Sequence, residues 1–490
     1  MTLTTASRAP WDGVPPEEQL FVLITGANSG VGLAIAQRLI DEFLASRPPT
    51  AHLVLLPTTR SAEKSLAVIA SLRAYAAAAL ARRPSQTTSK ENDKDREKNE
   101  NEKKDRNRIH IISLPLDLCD VRGVYAFADT LSRRTVSNPP GLDAEYLVDV
   151  ALPRLDTVIF NAAFGGWGGL NIPNFVVSVL TRGLFQAFTW PTYLLSLPDR
   201  LLNDRPRYAL PAAAPPLAEV FTACVFGHYL LARRLLPLLR RPPALAARGM
   251  PPARVVWCSS LDACRSNFRP DDPQCLLRPD AYESSKRLID VLSLTAALPA
   301  TRPHVARYFA AAAAAAAADD DDEESVPPTM YVTHPGVVVS TLFPVPAFLV
   351  WTYRIAIDLV RWLGSPWHVA QAYLGAFSAV WIALSSQDEL EHARAHRSKW
   401  GSACGRDLVP YVKATEVEGW GWDGRPETAE GVAADTAEGG RSKACGRKAD
   451  MPETTPEDLV DFEETGAQAW AAMEALRLQW EKTLEIGDFA

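Results

Sequence analysis

The chain has 490 residues, enough for one large α/β domain with insertions or for two or three average domains. Its 51 Lys and Arg stand against 58 Asp and Glu, a mildly acidic balance that argues against nucleic acid as a general partner. Seven scattered Cys, with no C-x-x-C pair and no His cluster beside them, point to a reducing intracellular compartment and to no metal site. The opening MTLTTASRAPWDGVPPEEQ shows no apolar core of a secretory signal.

Leu20 to Ile24 is a short apolar run and predicts a buried strand. Thr25-Gly26, Gly30 and Gly32 follow, and then an amphipathic helix with Leu33, Ile35, Ala36, Leu39, Ile40 and Phe43. Strand, glycine turn and helix together form a nucleotide-binding unit. Glycines permit a tight turn and close backbone approach, and the helix N-terminus presents free N–H groups to a pyrophosphate. A second strand, His52 to Leu56, ends in PTTR. An acidic residue there would bond the ribose hydroxyls of NAD, and none is present. Arg60 suits a 2′-phosphate instead and favours NADP; the alternative is a solvated Arg opening the next helix.

Residues 83–108 are almost wholly polar and charged, the composition of a disordered insertion. A third strand, Ile109 to Ile112, leads to Asp117, which either meets an adenine edge or caps a helix. A fourth, Asp156 to Phe160, ends in Asn161-Ala162-Ala163, where small residues would let backbone lie against a ribose. Residues 164–216 are an apolar, Pro-bearing insertion. It would wall an apolar pocket, dip into a membrane surface, or pack as core. A helix is expected over 217–240, and Val255 to Trp257 is a fifth strand running into Ser259-Ser260.

Tyr282 and Lys286 are four residues apart on a predicted helix carrying Leu288, Ile289, Val291, Leu292 and Leu294. That spacing places them on one face, one turn apart, as a phenol–ammonium acid–base pair. The Ala/Asp tract within 309–326 reads as a surface insertion. Met330 to Val332 is a sixth strand ending in His334-Pro335-Gly336, with His334 the kind of lone histidine that is usually structural. Trp367 to Leu384 has no formal charge over eighteen residues, the lower bound for a membrane span; a buried or membrane-lying helix is the favoured reading. Residues 423–455 are Gly-, Ala- and Glu-rich, as in a disordered linker. A C-terminal helix over 456–486 carries Phe462, Trp470, Met473, Leu476, Trp480 and Leu484 on one stripe and should dock on the domain or on a partner.

Strands alternating with helices from 20 to 335 predict a Rossmann-type doubly wound parallel α/β sheet. The motifs T-G-x-x-x-G-x-G, N-A-A, S-S, Y-x-x-x-K and P-G, in that order, resemble the short-chain dehydrogenase/reductase superfamily. WCSSLDACRSNF, AYESSKRLIDVLSLT, THPGVVVSTLFP and YVKATEVEGWGWDG resemble, within it, the fungal 3-keto-steroid reductase family of ergosterol synthesis. The resemblance implies an N-terminal extension over 1–19, a single large NADP-binding reductase domain over 20–422 interrupted at 83–108, 164–216 and 309–326, the linker, and the last helix.

The resemblance also implies roles. Tyr282 would protonate the substrate ketone, Lys286 would lower the Tyr282 pKa and hold the nicotinamide ribose, and Ser260, rather than Ser259, would polarise the carbonyl. Gly26, Gly30, Val31 and Gly32 would line the pyrophosphate, and Arg60 the 2′-phosphate. Asp117 would meet adenine and Asn161 the adenosine ribose. Gly336, Val338 and Ser340 would frame the carboxamide of NADPH. The implied substrate is a 4-methyl or 4-demethylated 3-keto sterol. The implied partners are a sterol C4-methyl oxidase, a C3-dehydrogenase/decarboxylase, their membrane scaffold and oxidosqualene cyclase. The implied place is the cytoplasmic face of the endoplasmic reticulum or a lipid droplet, by peripheral attachment. One departure stands out: Cys224 occupies a position where the superfamily carries Asn, which holds a water linking the Lys to solvent. Two other functions remain open at this level: reduction of another lipid ketone, and a low-activity NADP-binding scaffold in a membrane sterol complex.

Overall fold

The computed structural model describes residues 7–82, 108–133, 135–141, 147–316, 325–340, 342–343, 348, 350–435 and 439–487. The first apolar run is an interior strand, β1 (Gln19–Ile24), which pairs in parallel with β2 (His52–Pro57), itself parallel to β3 (Ile109–Ile111). The chain then crosses to the other side of β1 and forms β4 (Thr157–Phe160), with Val22 opposite both Leu55 and Thr157. It leaves the sheet for an antiparallel ribbon, β5 (Trp167–Leu170) with β6 (Leu194–Ser196). It returns as β7 (Arg254–Cys258), β8 (Thr329–His334) and β9 (Lys399–Cys404), all parallel, and closes with the antiparallel edge strand β10 (Pro410–Thr415). The order across the sheet is β10-β9-β8-β7-β4-β1-β2-β3.

Both faces of β1 are covered, which is why Leu20 to Ile24 are all apolar. Phe21 and Leu23 enter one apolar cluster, Val22 and Ile24 the other. Helices Val121–Arg133, Gly227–Arg234 and Ala281–Thr295 cover the first face. Helices Gly30–Ser46, Ala62–Ala81 and Phe377–Leu384 cover the second. Ala62–Ala81 is long and apolar enough to cross a membrane by length and composition, yet it lies along the sheet with Val68, Ile69 and Leu72 buried. The uncharged run Trp367–Leu384 breaks into Ala372–Gly375 and Phe377–Leu384 and packs on the sheet, the buried one of its two favoured readings.

Three expectations change. β9 and β10 were not foreseen, because Lys399, Gly401, Ser402 and Lys413 interrupt any apolar alternation; Lys399, Ser402 and Lys413 are nevertheless buried. Residues 423–455 are not a disordered linker in their described parts. Arg447 binds Glu416 through two nitrogens (2.5 and 3.1 Å), Lys443 binds Glu427 (2.6 Å), and Trp367 Nε1 donates to the Gly446 carbonyl (2.6 Å). Composition reports the scarcity of apolar side chains there, but it does not see ion pairs and an indole donor supplied by distant residues. The poly-Ala part of 309–326 continues a helix, Arg302–Ala316; residues 317–324, like 83–107 of the charged insertion, lie outside the described residues.

The C-terminal helix, Pro456–Thr483, starts with a capping box between Thr455 and Asp458 and docks on the Ala281–Thr295 helix. Phe462, Trp470, Met473 and Trp480 are buried, and Trp470 Nε1 donates to the Leu292 carbonyl (3.2 Å). The chain's own domain is therefore the surface that this stripe covers. At the other terminus Trp11 is buried edge-on to Phe21 and His110, which ties the N-terminal extension beneath the sheet.

Candidate active site

β1 leads outward to one side and β4 to the other, so their carboxyl ends bound the crevice where doubly wound sheets take ligands. A cleft of about 510 Å³ opens there. Gly26 adopts φ +67°, and a Cβ on it would lie 2.9 Å from Ala162 Cα. A Cβ on Gly32 would lie 2.4 Å from the Gly26 carbonyl. These two glycines let the β1 turn, the first helix and the N-A-A segment touch. Gly30 differs: it has φ +54° and nothing within 4 Å of where its Cβ would be. Its neighbour Ser29 makes no side-chain cap on helix Gly30–Ser46, so the first-turn N–H groups are left for a ligand, a cradle that fits a pyrophosphate.

The turn is braced from beneath. His228 Nδ1 donates to the Cys224 carbonyl (3.1 Å), which leaves Nε2 to accept from the Thr25 hydroxyl (2.9 Å). Thr25 Oγ1 in turn accepts from the N–H groups of Asn161 (3.0 Å) and Ala162 (3.1 Å). Burial pushes His228 down to about 3, so the ring stays neutral and the network keeps one polarity. The Asn161 amide donates to the carbonyls of Thr25 and Gly26 (3.1 and 3.3 Å) and thus first holds the turn in shape.

Thr58 and Thr59 follow β2 where an acid would bind a ribose, and exposed Arg60 stands at the cleft rim. Ser61, not Arg60, caps the next helix, accepting from Lys64 N–H (3.3 Å). Asp117 is no helix cap either: Asp120 accepts from Gly123 N–H (3.0 Å) and does that work. Asp117 accepts from Cys119 N–H (3.0 Å) and from the Tyr208 hydroxyl (3.3 Å). Tyr208 and Arg207 come from the 164–216 insertion and line the same end of the cleft. Sequence reasoning missed both, and an adjacent Arg-Tyr pair in a Pro-rich stretch carries no signal that would have found them.

Across the cleft, β7 ends at Cys258. Ser259 and Ser260 both border the cleft, and Ser259 is the more buried, its hydroxyl donating to the Lys286 carbonyl (3.2 Å). Tyr282 and Lys286 lie one turn apart on Ala281–Thr295 and line it too. Lys286 Nζ donates to the Cys258 carbonyl (2.7 Å) and sits 5.4 Å from the Tyr282 ring centroid. The expected lowering of the Tyr282 pKa by Lys286 is not what the structure holds. Burial, with Cys224, Asp262 and Glu283 close by, pushes the phenol well above its ordinary range, and a hydrogen bond with Ser260 acts the other way. An ordinary phenol is already protonated at neutral pH, so this shift leaves the form that can donate a proton unchanged.

The loop after β8 forms the third wall. Gly336 has φ +70°, and a Cβ there would meet the carbonyls of Trp367 (2.6 Å) and Ser402 (2.8 Å). His334 Nδ1 accepts from Gly336 N–H (3.1 Å), which makes Nε2 the donor to Thr415 Oγ1 (2.7 Å). His334 is thus a bracket for the Pro335-Gly336 turn. A parallel bridge between Val338 and Ala370 holds the rest, and Gly336, Val338 and Ser340 all reach the cleft.

Cys224 lies in a π-helical turn, Thr222–Phe226, that interrupts the helix expected over 217–240. Its Sγ meets both the carbonyl and the N–H of Phe164 (3.5 Å each). A thiol there is a weak donor and acceptor to the backbone beside N-A-A. The outer wall is apolar: Trp167 packs edge-on against Tyr282 (4.6 Å between centroids), and Phe343 stacks on Tyr353 (5.3 Å). Two carboxyl groups, Asp262 and Glu283, stand in or beside this wall and were not singled out from the sequence.

A glycine turn at the crevice of a doubly wound sheet, faced by a Tyr and a Lys one helical turn apart, defines a short-chain dehydrogenase/reductase. The chain is 51% identical over 478 residues to the 3-keto-steroid reductase ERG27 of Gibberella zeae, covering 98% of each chain. It is 34% identical over 477 residues to the corresponding reductase of Aspergillus fumigatus (95% of each) and 27% over 405 residues to that of Schizosaccharomyces pombe (81% of this chain, 90% of the relative). The chain belongs to the 3-keto-steroid reductase family. It matches no family model. A 3-oxoacyl-[acyl-carrier protein] reductase from Brucella melitensis in complex with NAD aligns at 14% identity and a TM-score of 0.34, over 74% of this chain and 89% of its own. At that distance the likeness bears on neither cofactor nor substrate.

Proposed function

We propose that this chain reduces the 3-ketone of 4-methyl or 4-demethylated sterol intermediates to the 3-hydroxyl with NADPH, in the C4-demethylation stage of ergosterol synthesis. The observation that carries the reading is the position of Ser260, Tyr282 and Lys286 on the wall of a cleft whose outer side is aromatic. The family relatives named for this activity support it. When bound, the reduced nicotinamide supplies the hydride for the ketone carbon. Tyr282 delivers the proton to the ketone oxygen, Ser260 donates a hydrogen bond to that oxygen, and Lys286 holds the ribose. Gly26, Gly30, Val31 and Gly32 would cradle the pyrophosphate, Arg60 the 2′-phosphate, Asp117 the adenine, Asn161 the adenosine ribose, and Gly336, Val338 and Ser340 the carboxamide. The deciding experiment is oxidation of NADPH by the purified protein with a 4-methyl-3-keto sterol. Turnover only with other lipid ketones, or none at all, would overturn the reading.

Cofactor choice has its own test. Arg60→Ala should weaken NADPH binding by roughly 1.5–3 kcal/mol, the scale of a charge-assisted hydrogen bond, and leave NADH nearly unaffected. Equal losses for the two cofactors, measured by fluorescence titration, would remove Arg60 from the 2′-phosphate.

Peripheral attachment to the endoplasmic reticulum or a lipid droplet belongs to the same reading. Helix Ile172–Thr189 packs on helix Val350–Trp362, and together they roof the apolar side of the cleft. Their aromatics divide: Trp167, Phe188, Phe343 and Tyr353 turn toward the cleft, while Phe348 and Trp351 are 81% and 73% exposed. Leu180, Ile355, Leu359 and Trp362 add to the outer apolar face. A roof apolar on both sides suits entry of an insoluble sterol from a lipid surface. Phe348→Asp with Trp351→Asp should release the protein from membranes into the soluble fraction without loss of NADPH binding, and unfolding of the double variant would return these side chains to a packing role. The oxidase, decarboxylase, scaffold and cyclase partners implied by resemblance would meet the protein at that same surface.

A further inference from the structure

Ser260 is held by a residue that no part of the reductase chemistry above uses. Its hydroxyl donates to Asp262 Oδ2 (3.3 Å) and accepts from the Asp262 N–H (3.3 Å). A serine hydroxyl has one proton, so it cannot be given to Asp262 and to a ketone at the same time. We propose that Asp262 is a positioning residue that decides where the Ser260 proton points: the neutral carboxyl leaves it to the substrate ketone, and the carboxylate takes it away. The inference rests on Ser260 and Tyr282 being the groups that face the ketone.

The surroundings of Asp262 make the neutral form accessible. It lines the cleft, between the insertion that carries Tyr193 and the helix that carries Tyr353. From the catalytic helix it is faced by Tyr282 and Glu283, from β9 by Lys399, and from the 446–450 segment by Lys448. Burial comes first in pushing its carboxyl up, Glu283 adds to it, and the Ser260 bond and the two lysines oppose; the balance is about 7. Glu283 is itself raised by burial, although it accepts from Trp167 Nε1 (3.2 Å). A sterol filling the cleft excludes water from Asp262 and drives it further toward the neutral acid. Substrate binding thus frees the serine that the substrate needs. A charged Asp262 would do the opposite twice over, by capturing the Ser260 proton and by setting a negative charge near the oxygen that gains electron density as hydride arrives.

The test is the pH dependence of kcat between pH 6 and 9 in the full-length protein with NADPH and sterol ketone. The wild type should lose about 10- to 100-fold across the ionisation of Asp262, the rate equivalent of one hydrogen bond in the transition state. Asp262→Asn cannot ionise and its amide can donate to Ser260 Oγ at any pH, so its profile should be flat to within about three-fold, with NADPH affinity unchanged. Asp262→Ala, which cannot take the proton either, should also lose the wild-type limb. Infrared difference spectra of the cofactor-free protein should show a protonated carboxyl band that titrates at lower pH than the kcat limb and is lost in Asp262→Asn. An Asp262→Asn profile that keeps the wild-type limb, or a band that persists in it, overturns the inference, and loss of the limb in Glu283→Gln alone assigns it to Glu283. Ser260→Ala separates the two readings: retained turnover removes Ser260 from the ketone and with it the underlying site, whereas lost turnover beside an unaltered Asp262→Asn limb refutes only the role of Asp262.

Discussion

Tyr282→Phe should lower kcat by about 10²- to 10⁴-fold, the range expected for loss of a positioned general acid. NADPH affinity should change little, because the ring and its contact with Trp167 remain. The substitution removes one oxygen at a buried site, and the phenol is held neutral there by burial, so no charge is stranded in the variant. Stability should stay within about 1 kcal/mol of the wild type, since one hydrogen bond, that with Ser260, is lost. Single-turnover measurement of NADPH oxidation at saturating sterol isolates the chemical step. A variant that keeps a tenth or more of the wild-type rate would show that the proton comes from elsewhere, with Ser260 the next group to examine.

Lys399→Met should be strongly destabilising. Lys399 Nζ pairs with Asp290 (2.7 Å), both side chains are almost fully buried, and the same ammonium donates to the Ser260 carbonyl (2.5 Å). It therefore ties β9, the catalytic helix and the Ser260 loop at one point. Burial lowers the Lys399 pKa and Asp290 opposes that shift, as in a pair where each charge depends on the other. Methionine fills the space but leaves the Asp290 charge without a partner, at a cost of about 3–5 kcal/mol. Urea denaturation should show a lower midpoint with the same slope. Adding Asp290→Asn should recover most of the loss, because the stranded charge, rather than the missing attraction, is the larger penalty. A Lys399→Met protein within about 1 kcal/mol of the wild type would mean that the pair contributes little to stability.

Much of the nucleotide half was legible in the sequence because its signals are local. The apolar run before Thr25, the glycine spacing after it and the helix that follows all depend on neighbours a few residues apart. Gly26 and Gly30 adopt positive φ values that other residues rarely take, so their identity already encodes the turn. The four-residue spacing of Tyr282 and Lys286 specifies a shared helical face whatever packs around it. These stretches sufficed for a doubly wound, mostly parallel sheet.

What the tertiary structure alone decided is the state of those groups and the company they keep. No local pattern reports that burial, with Cys224, Asp262 and Glu283 beside the ring, would raise the Tyr282 pKa, because desolvation depends on what covers the ring. The strands β9 and β10 and the packing of 423–455 rest on buried polar pairs such as Lys399–Asp290 and Arg447–Glu416, whose members are 109 and 31 residues apart. Composition counts such residues as solvent-loving, and only a fold that brings the partner makes them structural. Asp262 likewise reads as one more acid in a loop until Ser260 is seen against it. The sequence by itself determined the apolar strands from β1 to β8 that it showed, the glycine turn and the spacing of Tyr282 and Lys286, since each is read from residues close together in the chain. The aromatic roof over that pair and the carboxyl group beside its serine were set by contacts between segments far apart in the chain.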